Sequence, residues 1–277
     1  THDRKTYRLR LSSTEIEGPR RSLSLGKFRI PLGRPSIRGL RKGVPFWRIL
    51  GDHGIFSSIL RVPITFPPQR FYGVQLSGMC VPDLRGSQGI FSFHTTAPKD
   101  QEENTGGEVY RLIRNGDTVI SRLKGPDHPY LKQKTQLTCP FALTLLGRGQ
   151  ARLKICGVAY DLQQGQYSGW IPVFFRYFGW MRISGMCMFL LQETEPEVRL
   201  YVTPIQIDPE RPVMPISSPA VFAAYLAKRQ GRYATLGLAE DSWALNEKIL
   251  SDEQFLQQCQ QSDRERERMF YDSLDKT

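Results

Sequence analysis

Two kinds of side chain in this 277-residue sequence could do chemistry near neutral pH, four histidines and five cysteines, and their spacing limits what that chemistry can be. His2, His53, His94 and His128 are scattered, and Cys80, Cys139, Cys156, Cys187 and Cys259 never fall as Cys-x-x-Cys, so no zinc knuckle or ribbon is read. The most site-like cluster is Gly51-Asp52-His53-Gly54, where a carboxylate and an imidazole between flexible glycines could move a proton. A turn between strands accounts for the same residues and is preferred. No Walker loop, dinucleotide glycine fingerprint, nucleophile elbow or His-Glu-x-x-His motif is present. No catalytic residue, metal ligand or cofactor is assigned, and a non-catalytic role is expected.

The cations carry a stronger signal. Residues 1 to 48 hold 13 of the 38 Lys and Arg against three carboxylates, while the remaining 229 residues are almost balanced. From Ala239 onward the sign reverses, with ten carboxylates against five cations. A basic block repels itself, is extended when free and neutralises phosphates, releasing counterions so that binding weakens as salt rises. Arg dominates, which suits bidentate phosphate contacts. The candidate nucleic-acid-binding residues are therefore Arg4, Lys5, Arg8, Arg10, Arg20, Arg21, Lys27, Arg29, Arg34, Arg38, Arg41 and Lys42. A solvated arm, a membrane-surface patch, an Arg-rich targeting remnant and an arm threading a protein assembly are the competing readings. A second candidate is the run Trp170, Phe174, Phe175, Tyr177, Phe178, Trp180 with Arg176 and Arg182, whose rings could stack on unpaired bases. Its apolar neighbours favour a strand buried on both faces instead.

The elements that must position these groups are short strands. Period-two alternation or apolar runs occur at 59–66, 71–80, 89–94, 108–113, 118–123, 136–146, 152–160, 171–177, 180–191 and 197–207, separated by Gly, Pro, Asn and Asp turns. The pattern predicts a mainly β protein: an antiparallel sandwich over 44–207, preceded by a basic extended arm, 1–43, and followed by a Pro-rich connector and acidic helical tail, 208–277. In the tail, Ser218 before Pro219 predicts a helix start, and Ser251 with Gln254 a capping box. The apolar stretch Trp170 to Leu191 contains Arg176 and Arg182 and reads as buried strands rather than a membrane span. Ser77-Gly78-Met79-Cys80 recurs as Ser184-Gly185-Met186-Cys187, which predicts equivalent buried strand positions for Cys80 and Cys187. An odd number of cysteines and no Asn-x-Ser/Thr acceptor suggest a reducing compartment.

A basic arm ahead of a β-sandwich, with Phe174-Phe175-Arg176-Tyr177-Phe178-Gly179-Trp180 followed by Arg199-Leu200-Tyr201-Val202-Thr203-Pro204, resembles jelly-roll coat proteins of small icosahedral RNA viruses. The resemblance implies an arm that contacts packaged RNA and sandwich faces that contact copies of the same chain, with location in a virion or inside a cell. The helical tail and the repeat at an offset of 107 residues depart from that plan. A structural subunit of an organellar ribonucleoprotein, in a mitochondrial or plastid matrix, and an RNA-transport protein of movement type remain as alternatives.

Overall fold

The computed structural model describes residues 14–17, 21–33, 36–39, 43–97 and 106–274. Arg4, Lys5, Arg8, Arg10, Arg20, Arg34, Arg41 and Lys42 of the expected binding arm lie outside these residues. Inside the basic segment, β1 (Thr14–Glu17), β2 (Ser22–Leu25), β3 (Phe28–Pro31) and β4 (Ser36–Gly39) form two antiparallel ladders, β2 with β3 and β1 with β4. Arg38 is placed on β4 by its backbone. Helix α1 (Phe46–Asp52) then anchors the chain through Trp47, which is 5% exposed.

The body continues with β5 (Ser57–Leu60), β6 (Gly73–Leu76), β7 (Phe91–Thr95), β8 (Gly107–Arg111), β9 (Arg114–Asn115), β10 (Thr118–Asp127), β11 (Gln136–Gly147), β12 (Gln150–Ile155), β13 (Val158–Gln163), β14 (Ile171–Phe178), β15 (Met181–Cys187), β16 (Phe189–Glu193), β17 (Arg199–Val202) and β18 (Gln206–Ile207). The tail adds β19 (Ser217–Ser218), α2 (Phe222–Gln230), α3 (Ser242–Asn246) and α4 (Asp252–Leu274). The protein is mainly β and sandwich-like, with most of its ladders antiparallel and a helical tail.

Strands β9 to β13 make a meander whose inward residues alternate along the chain, among them Leu143, Leu153 and Leu162, and meet Ile171, Val173 and Phe175 of β14. A second sheet, in the order β16-β17-β7-β8, is covered on both faces. Phe189, Leu191, Leu200 and Val202 join this main core, while Leu190, Tyr201, Phe91 and Phe93 face a smaller one closed by Ala244 and Leu250. Each fully buried side chain of this size contributes roughly 1.5–3 kcal/mol through removal of apolar surface from water. Two layers of strands under a layer of helix thus share one central sheet.

Several expectations need correction. Two ladders are parallel, β5 with β6 and β7 with β8. Their connections, 61–72 and 96–106, are 12 and 11 residues long, about the dozen that a crossover takes, which period-two alternation does not reveal. Gly51-Asp52-His53-Gly54 is the C-terminal end of α1 rather than a turn between strands. Gly54 takes a φ of 74° and donates its N–H to the Gly51 carbonyl, and Ile55 donates to that of Leu50, each at 3.0 Å, the pattern of a left-handed helix cap. The aromatic strand β14 is buried on one face only, with Val173 and Phe175 inside and Arg176 and Phe178 exposed, and Trp180 is exposed in the turn after it.

Cys187 is wholly buried at the end of β15, whereas Cys80 lies half-buried in a turn at φ 80°, so the two repeated strings diverge at their cysteines. What they share is a close approach at the glycine: an added Cβ would lie 2.4 Å from the Arg61 carbonyl oxygen at Gly78 and 2.7 Å from Leu84 at Gly185. In the tail, Ser218 pairs in β19 and does not start a helix; α2 begins at Phe222, and Ser217 Oγ accepts the Ala223 N–H at 3.0 Å. The Ser251–Gln254 capping box forms as expected, with both reciprocal bonds present. The polar middle of α4 packs through hydrogen bonds: Gln258, 3% exposed, donates to the hydroxyls of Tyr167 and Tyr201 and accepts the Asp241 N–H.

Candidate nucleic-acid interface

Of the predicted binding residues, Arg21, Lys27 and Arg29 have described side chains, and all three are exposed on or beside the β2–β3 hairpin. Gly26, at φ 54°, occupies the first central position of its two-residue turn, where a side chain would be strained. A lone two-stranded hairpin is marginal in water. This one is docked on the body instead. Arg29 donates its backbone N–H to the Tyr130 carbonyl at 2.8 Å, Lys132 donates to the Lys27 carbonyl at 3.1 Å, and the Phe28 ring lies 5.7 Å from that of Phe178.

The docking point is an aromatic corner. Tyr130 stacks on Phe178 with centroids 5.9 Å apart and planes 19° apart, and Tyr177 lies 5.7 Å from Tyr130. His128 stands edge-on to Phe178 at 5.1 Å. The Tyr130 N–H donates to His128 Nδ1 at 3.2 Å, which leaves the ring proton on Nε2, donated to the Tyr177 carbonyl at 3.2 Å. Burial, then the neighbouring Tyr130, raises the pKa of the Tyr177 phenol, so it stays protonated. Beyond Phe178, the turn of the β14–β15 hairpin carries Trp180 at 89% exposure.

Cations surround this corner. Lys132 and Lys134 follow Tyr130 and are exposed, and Arg176 on β14 stands directly opposite Arg182 on β15. Like charges facing across an antiparallel pair are unfavourable. Arg182 is held 4.1 Å over the Phe174 ring, a cation–π contact that fixes its side chain without neutralising it. None of Arg21, Lys27, Arg29, Lys132, Lys134, Arg176 and Arg182 forms an ion pair among the described residues. A patch that joins unneutralised cations to exposed rings has the two features that single-stranded nucleic acid needs, charge along a backbone and platforms for bases.

The composition of the arm points to Arg21, Lys27 and Arg29, and the aromatic run carries Arg176 and Arg182 as a stacking option. His128, Tyr130, Lys132 and Lys134 carry no local signal, because they join the corner through pairing with β3 and through ring and hydrogen-bond contacts with Tyr177 and Phe178.

Of the remaining histidines, His2 lies outside the described residues, and His53 and His94 make contacts within the fold. His53 Nδ1 sits 2.8 Å from the Ile49 carbonyl oxygen at the end of α1. His94 is fully buried, stacked 4.8 Å from Tyr110 and hydrogen-bonded through Nδ1 with Ser121 Oγ at 2.9 Å. That serine–imidazole pair has the elements of a nucleophile and base, but burial lowers the His94 pKa to about 3, so the ring is a feeble base at neutral pH. No helix among the described residues is long and apolar enough to cross a membrane. Comparison of the chain with protein-family models, curated proteins and solved structures finds no match.

Proposed function

We propose that the protein is a non-catalytic structural subunit that binds single-stranded RNA through its basic N-terminal segment and the aromatic corner on which the β2–β3 hairpin docks, and that it joins a larger assembly in the manner of a coat protein. The observation that carries this reading is the opposed pair Arg176 and Arg182 beside exposed Phe178 and Trp180, with no carboxylate partner among the described residues. Phosphate oxygens would relieve the repulsion between the two guanidinium groups, and the rings would accept bases without regard to sequence. Arg21, Lys27 and Arg29, on or beside the β2–β3 hairpin docked at that corner, supply further phosphate contacts.

The test is titration of the full chain with a single-stranded RNA at several salt concentrations. If the seven cations each neutralise one phosphate, log affinity falls with log salt at a slope of about −5, at about −0.7 per contact. Replacing Arg176 and Arg182 together by Gln should flatten the slope by about 1.4, and replacing Arg21, Lys27 and Arg29 by Gln by about 2. Light scattering with and without RNA reads the assembly half of the proposal. Affinity indifferent to salt, or slopes unchanged in both variants, would refute the RNA-binding reading; a particle that stays monomeric with RNA bound would refute assembly.

A further inference from the structure

Where β11 and the β12–β13 turn meet β14, beside Arg176 and Arg182, two cysteines face each other. Cys139 lies on β11 and is 2% exposed; Cys156 follows β12 and is exposed, and their sulfurs are 3.4 Å apart. Cys156 and Gly157 form the two-residue turn between β12 and β13, at φ 52° and 83°. Such a turn takes Asn, Asp or Gly at both positions, and a Cys held at positive φ is a departure that points to use of its side chain. The Phe174 backbone N–H donates to Cys156 Sγ at 3.3 Å from the neighbouring strand. The two sulfurs open onto a surface pocket of about 570 Å³ whose wall includes Lys154, Phe174, Arg176 and Arg182.

We propose that Cys139 and Cys156 form a peroxide-reactive dithiol site, with Cys156 as the attacking thiolate and Cys139 as the resolving thiol. The groups facing Cys156 all bear on its ionisation. Its pKa is lowered, first by the hydrogen bond from the Cys139 thiol and then, against partial burial, which raises it, by the Phe174 N–H and by Arg176 and Arg182. Cys139, as the donor of that bond and buried, is raised and keeps its proton, and Tyr160 on β13 is raised by burial and by the Cys156 charge.

In the first step the Cys156 sulfur attacks one peroxide oxygen, the O–O bond breaks, and the departing hydroxide takes up a proton to become water. Cys156 is then a sulfenic acid. In the second, the Cys139 sulfur attacks that sulfur, the S–O bond breaks, and the hydroxide leaves as water with the Cys139 proton. Two thiols are oxidised by two electrons and one peroxide is reduced to two waters. Closing the S–S distance from 3.4 Å to about 2.05 Å is a small side-chain movement.

The experiment uses the full reduced chain, freed of reductant and treated with hydrogen peroxide, then blocked with N-ethylmaleimide and digested with trypsin without reduction. Peptide 135–148, carrying Cys139, should appear joined to peptide 155–176, carrying Cys156, at the summed mass less two hydrogens. Before oxidation, iodoacetamide should modify Cys156 on the order of tenfold faster than Cys80 or Cys259, with a rate midpoint below the value of about 8.5 for a free thiol. Cys156→Ser should abolish the joined peptide, and Cys139→Ala should leave a sulfenic acid that dimedone traps. Alkylation of Cys156 no faster than that of Cys80 or Cys259 in the unaltered chain would overturn the proposal, as would a joined peptide that links other cysteines or none at all.

Discussion

Lowering the pH from 7 to 5 should destabilise the native protein by about 2 kcal/mol more than it destabilises a His94→Phe variant. The His94 imidazole has no exposed surface, its Nε2 has no hydrogen-bond partner among the described residues, and burial lowers its pKa from 6.5 to about 3. In the unfolded chain the same ring returns to 6.5. Between these values the unfolded state binds a proton that the native state refuses, so stability is held above pH 6.5 and is lost as the pH falls toward 3. The full range corresponds to about 5 kcal/mol, because each tenfold change in proton affinity is worth about 1.36 kcal/mol, and about 2 kcal/mol of it falls between pH 7 and 5. Phe keeps the ring between Tyr110 and Phe141, at 4.8 and 5.2 Å, and cannot titrate. Urea unfolding of both proteins at pH 7, 6 and 5 measures the difference, and carboxylates common to both cancel in it. Parallel loss of stability in the two proteins would show that His94 is not desolvated in the folded state as argued.

Other substitutions separate surface from scaffold. Trp180→Ala should weaken RNA binding by about 1–3 kcal/mol in a fluorescence titration, the worth of one stacked base, while leaving the unfolding midpoint nearly unchanged, since the ring is 89% exposed. Gly125→Ala should destabilise the fold by about 1–3 kcal/mol, because its Cβ would lie 2.3 Å from the buried Phe175 ring; thermal unfolding reads this. Ser251→Ala should cost about 0.5–2 kcal/mol by removing the α4 cap, seen as reduced helical stability by circular dichroism. Tyr201→Phe removes the hydroxyl that donates to Asp241 at 2.7 Å in a buried network, and denaturant unfolding should show a loss of about 1–3 kcal/mol.

Features set by neighbours in the chain were legible from the sequence alone. Alternation placed most strands of the body, Ser251 and Gln254 marked the start of α4, and the charge count separated a basic segment from a nearly neutral body, because period, capping and charge are local properties. Tertiary structure decided whatever depends on which strands meet. The apolar run after Trp170 divides into a half-exposed hairpin, β14–β15, and a strand covered on both faces, β16, and the two have the same hydrophobic character in sequence. The parallel pairing of β5 with β6 and β7 with β8, the stacking of Tyr130 on Phe178 and the approach of Cys156 to Cys139 likewise follow from register between separate strands. A shift of one residue would turn each of those side chains to the opposite face, and only the packed core, which fixes that register, determines which rings, cations and thiols share a surface.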